Sequence, residues 1–328
     1  MNARTRLGAR NLSLAQQVRG GLGGRPRESR GRHALRLLAF TLAVVGTLAG
    51  LWVLWMHITG DPLADARAYY LAASRLNHGE PLYPAGADPT SAEMYRYPPL
   101  LAVVLRPLAL LPYWVFAITW EVLVVGAFVL TIVQLGAGPR VYLAIGMLGI
   151  PIGWALGVAQ AHVPLTLLIA IGQPWTIALA ANIKLFPALI AFWWIGRRDY
   201  QSFFAFVVWL VVFGLAGLVL EVNGTLAYLH GAVGLGFEGE ARNISPYVWA
   251  SPLVWASLFI VGVLVTVALA RTRWGWAAAV ALATLSPPRL LVYMLTGLLA
   301  AIRQPHIAGE PDPDAPLDTA TAFARAVR

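Results

Sequence analysis

Asp65 has the surroundings of a residue that moves a proton. It lies in Asp61-Pro62-Leu63-Ala64-Asp65-Ala66-Arg67-Ala68-Tyr69-Tyr70. Asp65, Tyr69, Ala72, Ala73 and Leu76 recur at three-to-four-residue spacing, which predicts one face of a short amphipathic helix. Asp65 falls in the first turn, where a carboxylate suits the helix dipole. Asp61, ahead of Pro62, is the expected N-cap. Two readings stand side by side. Asp65 is a helix-end acid facing solvent, or it is a general base at the membrane–water boundary. A base must lie within hydrogen-bond reach of the hydroxyl it deprotonates, and a loop at that boundary places one at the depth of a lipid-linked substrate.

Lys184 is the single lysine among 24 basic residues and sits inside the apolar stretch Ala181-Asn182-Ile183-Lys184-Leu185-Phe186-Pro187. A charge at the bilayer centre costs about 2.5–3.5 kcal/mol on insertion scales. Lys184 therefore either snorkels or pairs with the intramembrane acid Glu121, or it holds a lipid-linked phosphate and stabilises departing negative charge. Arg289, after Ser286-Pro287-Pro288 at an expected outer helix start, is an interfacial anchor or a second, forked phosphate contact. Glu121 has Arg106 and Lys184 as candidate partners, or faces a wet cavity. Gln160 and His162 read as polar helix–helix contacts. Tyr69 and Tyr70 complete the set of candidate cavity residues.

These residues need membrane helices to position them. Of 328 residues 59% are hydrophobic and 12% charged, against about 45–50% and 25% for a soluble domain. The composition excludes a soluble globule and a disordered chain, and the absence of cysteine excludes disulfides, a thiol nucleophile and a cysteine-ligated zinc. No metal-ligand motif, phosphate-binding glycine loop or nucleophile elbow occurs, so no metal and no cofactor is expected. Residues 1–36 hold nine arginines and one acid, net +8 of the chain's formal +9. An apolar run follows directly, so this flank reads as cytoplasmic by the positive-inside rule rather than as a nucleic-acid tail.

The predicted architecture is an all-α polytopic transmembrane bundle of about ten spans: 37–56, 98–112, 113–136, 140–158, 162–174, 175–196, 202–221, 250–271, 274–286 and 287–302. Residues 1–34 form a disordered basic tail, 35–302 the membrane domain and 303–328 a second disordered tail. Residues 57–97 and 222–249 are the outer loops, the first carrying short amphipathic helices and the second a solvated lid. This count puts Arg197, Arg198, Arg271, Arg273 and Arg303 in the cytoplasm and Arg140 outside, against the trend. It also puts Gln160 and His162 at the cytoplasmic end, away from Asp65 unless neighbouring short spans are re-entrant. The expected location is the plasma membrane, multi-pass, with the N-terminus cytoplasmic. No internal repeat is present.

At Asp65-x-x-x-Tyr69-Tyr70, Gly79-Glu80-Pro81-Leu82-Tyr83 and Tyr97-Pro98-Pro99-Leu100, with Pro107 and Leu111-Pro112 beyond, the chain resembles family-87 glycosyltransferases of the GT-C superfamily. Gln160, followed by Lys184-Leu185-Phe186-Pro187 and Arg197-Arg198, is a second match, and Leu285-Ser286-Pro287 a weaker third. The family's Gly-Gln-x-Asn reads Ala159-Gln160-Ala161-His162 here, and the histidine expected after Ser286-Pro287 is absent. The resemblance implies a GT-C-like fold, Asp65 as the base that activates the acceptor, and Lys184, with Arg289, on the donor phosphate. It implies an inverting transfer of a sugar, mannose above all, from a polyprenyl phosphate to a lipid or glycan acceptor on the extracytoplasmic face, among membrane lipids and without nucleic acid. The alternatives are a transporter or lipid flippase built on a Lys184–Glu121 pair, and an inactive scaffold of the same fold.

Overall fold

The computed structural model describes residues 30–84, 86, 91, 93–231 and 242–305, with side chains from residue 34 onward. The expected tails at 1–34 and 303–328 fall almost wholly outside the described residues. The chain divides into two compact units at Leu42 and Ala43. The first is described over residues 30–42, the start of helix α1 (Arg30–Gly60), and exposes Leu35, Leu37, Leu38 and Phe40. The second holds every other element.

Residues 43–60 of α1 lead to α2 (Ala64–Asn77), then α3 (Pro99–Leu105), a 3-10 turn (Leu108–Leu110), α4 (Tyr113–Leu135), α5 (Pro139–Met147), α6 (Gly149–Gly157), α7 (His162–Ile171) and α8 (Pro174–Ile183). A 3-10 helix (Phe186–Ile190) runs into α9 (Ala191–Arg197). Then come α10 (Tyr200–Leu220), α11 (Val222–Leu229), α12 (Pro246–Trp249), α13 (Pro252–Leu269), α14 (Gly275–Leu285) and a long 3-10 helix (Val292–Ile302). Proline opens α3, α5, α8, α12 and α13 in the first turn, where its missing N–H has no intrahelical partner to lose. Left-handed Gly136 and Gly172 close α4 and α7, the conformation glycine adopts without a Cβ penalty.

The all-α membrane reading holds. Four helices are long and apolar enough to cross a bilayer: Ala34–Gly60, Tyr113–Leu135, Tyr200–Leu220 and Pro252–Leu269; α5 and α6, bent by 73°, make a fifth if taken as one span. Their apolar faces point outward, with Val219 76% and Leu253 80% exposed, surface that water does not tolerate but lipid does. The other expected spans are met by helices of 7 to 11 residues.

The path of the short pieces differs from the expected one. Residues 98–112 turn back at the end that carries Asp65 instead of crossing. α3 packs there on α2, and Tyr70 meets Tyr113 at the start of α4. Residues 175–196 form two helical runs: α8 rises to Lys184, and the 186–197 run returns to Arg197. Proline at 187 and extended backbone at Lys184 make the break, because proline cannot donate the helical hydrogen bond. These are two departures from the expected path. They exchange the ends assigned to everything between. Gln160 and His162 move to the Asp65 end. Arg140 moves to the end of Arg303, whose guanidinium Nη1 lies 3.4 Å from where a Cβ on Gly136 would stand.

Candidate active site

Asp65 is held by backbone before its side chain is considered. The expected cap, Asp61, accepts from His57 Nδ1 at 2.7 Å instead. The N-cap of α2 is Leu63, in the left-handed region at φ 56° with no side-chain cap. The chain end of α6 takes over that role: Leu63 N–H donates to Gly157 O at 3.2 Å and Asp65 N–H to Val158 O at 3.1 Å. The next residue, Ala159, is also left-handed at φ 59°, and its carbonyl accepts from Trp120 Nε1 at 2.8 Å. Left-handed backbone disfavours any residue with a Cβ, so two strained positions flank one contact, a pattern typical of functional sites.

The contact is a pair of side chains from different elements. Gln160 Nε2 donates to Asp65 Oδ2 at 2.7 Å. Gln160 Oε1 accepts from Tyr69 Oη at 2.7 Å and from Tyr97 Oη. Two hydroxyl donors on one oxygen fix which way the amide faces. Tyr69 Oη in turn accepts Ala161 N–H at 3.1 Å. Its ring meets Trp120 edge-on at 5.6 Å. Tyr97 is aimed by a tyrosine cluster, with Tyr83 Oη donating to Tyr97 O at 2.6 Å and Tyr95 Oη to Pro98 O at 2.8 Å.

The site is recessed. Trp120 is seven residues into α4, so the Ala159–Gln160 turn lies about 10 Å below the start of that helix at a rise of 1.5 Å per residue. Partial burial pushes the Asp65 carboxyl up to about 7, against the opposing pull of Lys184, Arg289 and Arg96. Burial and the nearby Tyr97 and Asp65 hold the Tyr69 phenol well above its ordinary value, so it stays neutral and a donor.

Two cations converge from elsewhere in the chain. The Lys184 Nζ lies 5.6 Å from the Tyr97 ring centre and 5.8 Å from that of Tyr293. Arg289 sits in the bend between α14 and the long 3-10 helix. That bend is fastened by Asn243, which sequence reasoning missed. Asn243 Oδ1 accepts from Leu290 N at 3.0 Å and Ser245 N at 2.9 Å, its Nδ2 donates to Pro288 O at 3.1 Å, and Ile244 N donates to Leu290 O at 2.8 Å. Of the expected outer lid, 232–241 lies outside the described residues.

Other expectations are corrected. Glu121 pairs with neither proposed cation. Its Oε2 is buried without a hydrogen-bond partner, while Arg106 Nε donates to Asn77 Oδ1 at 3.0 Å. Tyr70 turns away from Asp65 and packs edge-on against Tyr113 and Phe116 of α4. His162 is buried beside Gly297 and Thr284 below the site. Tyr97 and Trp120 belong to the site and were not singled out. For Tyr97 the sequence signals were the aromatic run Tyr95-Arg96-Tyr97 and the Tyr97-Pro98-Pro99-Leu100 match to the family pattern.

The model for glycosyltransferase family 87 matches residues 95–305, which leaves Asp65 outside the matched region. Two similar proteins each bear the name polyprenol-phosphate-mannose-dependent alpha-(1-2)-phosphatidylinositol pentamannoside mannosyltransferase. That of Mycolicibacterium smegmatis is 27% identical over 270 residues, 73% of this chain and 66% of the relative. That of Mycobacterium tuberculosis is 29% identical over 209 residues, 56% and 47%. The chain thus spans just under two thirds of one relative's length and about half of the other's. No solved structure matches the chain. With the family model covering most of the membrane-embedded elements and the site residues Tyr97, Gln160, Lys184 and Arg289, the chain belongs to glycosyltransferase family 87.

Proposed function

We propose that this chain is an inverting mannosyltransferase that uses polyprenyl-phosphate mannose as donor and acts on a lipid or glycan hydroxyl at the extracytoplasmic face of the plasma membrane. The observation that carries this reading is the meeting of a carboxylate held by Gln160 with the cations Lys184 and Arg289 in one recess. Gln160 occupies Oδ2 of Asp65, so Oδ1 takes the acceptor's proton as the acceptor oxygen attacks the anomeric carbon. The bond from that carbon to the phosphate oxygen breaks, and the electron pair leaves with the lipid phosphate beside Lys184 and Arg289. Fixed charges aimed at developing negative charge lower the barrier without reorganising. A phosphate is a good leaving group, so no acid is required on that side. The names of the relatives support the donor and make phosphatidylinositol mannosides the first acceptors to test.

The transporter alternative rested on a Lys184–Glu121 pair, and the two do not meet. The test is transfer of radiolabelled mannose from polyprenyl-phosphate mannose in membranes carrying the protein. Asp65→Asn should lose about 10²–10⁴-fold, the usual contribution of a general base. Asp61→Asn, which alters only the contact with His57, should retain appreciable transfer. The mechanism fails if Asp65→Asn transfers like the unmodified chain.

A further inference from the structure

The end of the bundle opposite Asp65 carries a groove of about 430 Å³, lined by Leu135, Gly136, Arg140, Val141, Ile302 and Arg303 among others. It lies where the turn from α4 to α5 meets the end of the long 3-10 helix. Gly136 is left-handed at φ 92°, and the missing side chain leaves room for the Arg303 guanidinium over the turn. Neither Arg140 nor Arg303 has an ion-pair partner among the described residues, and no acid lines the groove.

Two guanidinium groups on one groove call for an anion with several oxygens, because each presents a planar fork of donors suited to phosphate. The apolar walls say more about the occupant. Leu135 and Val141 are its buried floor; the apolar wall open to an occupant is the outward face of α4 one and two turns before Gly136, where Val133 is 64% and Leu130 56% exposed. A soluble anion makes no use of those walls, whereas an acyl chain does. α4 is long enough to cross a bilayer, so its last turn falls at headgroup depth, where basic pockets between helices hold lipid phosphates.

We propose that this groove is a binding site for an anionic phospholipid, with its phosphate on Arg140 and Arg303 and an acyl chain along the end of α4. The site is separate from the recess around Asp65 and does not depend on the transfer reaction. A rival occupant lies in the sequence itself, since Glu310, Asp312 and Asp314 follow Arg303 closely.

The test uses the full chain purified in detergent, with phosphatidylglycerol, phosphatidylcholine or inorganic phosphate added. Lipids retained in native mass spectrometry and the thermal midpoint are read together. Phosphatidylglycerol should be retained in preference to phosphatidylcholine and should raise the midpoint, less so at high salt. Arg140→Gln with Arg303→Gln should weaken that retention about tenfold or more, the scale of losing charge-assisted hydrogen bonds. Should that variant fail to fold, Arg140→Lys with Arg303→Lys keeps the charge and loses the forks, and should show a smaller loss. The proposal is overturned if the glutamine variant, or in its place the lysine variant, retains phosphatidylglycerol as well as the unmodified chain. It is equally overturned if inorganic phosphate raises the midpoint as much, or if the lipid preference emerges only after residues 306–328 are removed.

Discussion

The chemistry proposed for this chain turns on one amide. Gln160 ties a carboxylate to two phenols, and its Nε2–H favours the charged form of Asp65. Burial outweighs that bond and lifts the carboxyl from 3.8 to about 7. Below that pH the base is protonated, so kcat/KM should climb with pH through an acidic limb near 7. Gln160→Leu removes the donor to the carboxylate, so the limb should move to higher pH, with kcat/KM at pH 7 about fivefold lower for the first unit moved and about tenfold lower for each further unit. A limb left in place by Gln160→Leu would deny the amide this role. Stability carries the opposite sign. Between 3.8 and about 7 the native state holds a proton that the unfolded chain has lost, so stability falls as pH rises across that window and levels off above it. Asp65→Asn should remove that slope, which pH-dependent thermal unfolding can read.

At the scale of elements, the position of Asp65 depends on how closely residues 43–60 of α1 approach α5 and α6. A Cβ on Gly149 would stand 2.0 Å from Gly46 O, and one on Gly153 would stand 2.1 Å from Gly50 O. Small residues let membrane helices pack backbone to backbone. α6 then presents Gly157 and Val158 to the start of α2. Gly149→Val should therefore separate these helices, costing about 1–3 kcal/mol, the usual penalty of overpacking. Transfer should fall with it although residue 149 makes no contact with Asp65. Thermal unfolding and the transfer assay check both. The Asn243 clamp works on the other side of the recess. Asn243→Ala leaves the Leu290 N–H and the Pro288 carbonyl without side-chain partners, at about 1–3 kcal/mol for each group left buried. Because the freed bend carries Arg289, KM for the donor should rise more than kcat falls. An unchanged KM would deny Arg289 a part in donor binding.

At the scale of the molecule, the fold-back of 98–112 and the break in 175–196 decide which residues share an end of the bundle. Ser91 lies near the Asp65 end, while Gln134 and Thr272 lie toward the end of Arg303. The chain has no cysteine, so a cysteine introduced at each position reports alone. In intact cells, an impermeant thiol reagent should treat Gln134→Cys and Thr272→Cys alike and Ser91→Cys oppositely. If Gln134→Cys behaves like Ser91→Cys, residues 98–112 cross after all. Short helices also shape the recess. α7 and α8, of ten residues each, rise only about 15 Å, half a bilayer core.

Composition and hydrophobic run length already determined that this chain is a helical membrane protein, because a bilayer demands long apolar segments whatever their packing. The local spacing around Asp65 likewise determined α2 and the face that Asp65 and Tyr69 share, since i and i+4 lie together on any helix. Run length could not distinguish a span from two short helices meeting at Lys184-Leu185-Phe186-Pro187. Both arrangements bury the same apolar residues, and only tertiary packing separates them, with α8 lying on α10 and the Phe186–Ile190 turn on α14. For the same reason Gln160 read as distant from Asp65, 95 residues away in sequence, and became its partner. The contact depends on two left-handed residues and a tryptophan on a third helix, and no local pattern encodes such a meeting. Tyr97, Trp120 and Asn243 were hidden in the same way. Their sequence surroundings are those of ordinary aromatic and polar residues, and the tertiary structure alone aims them at the recess.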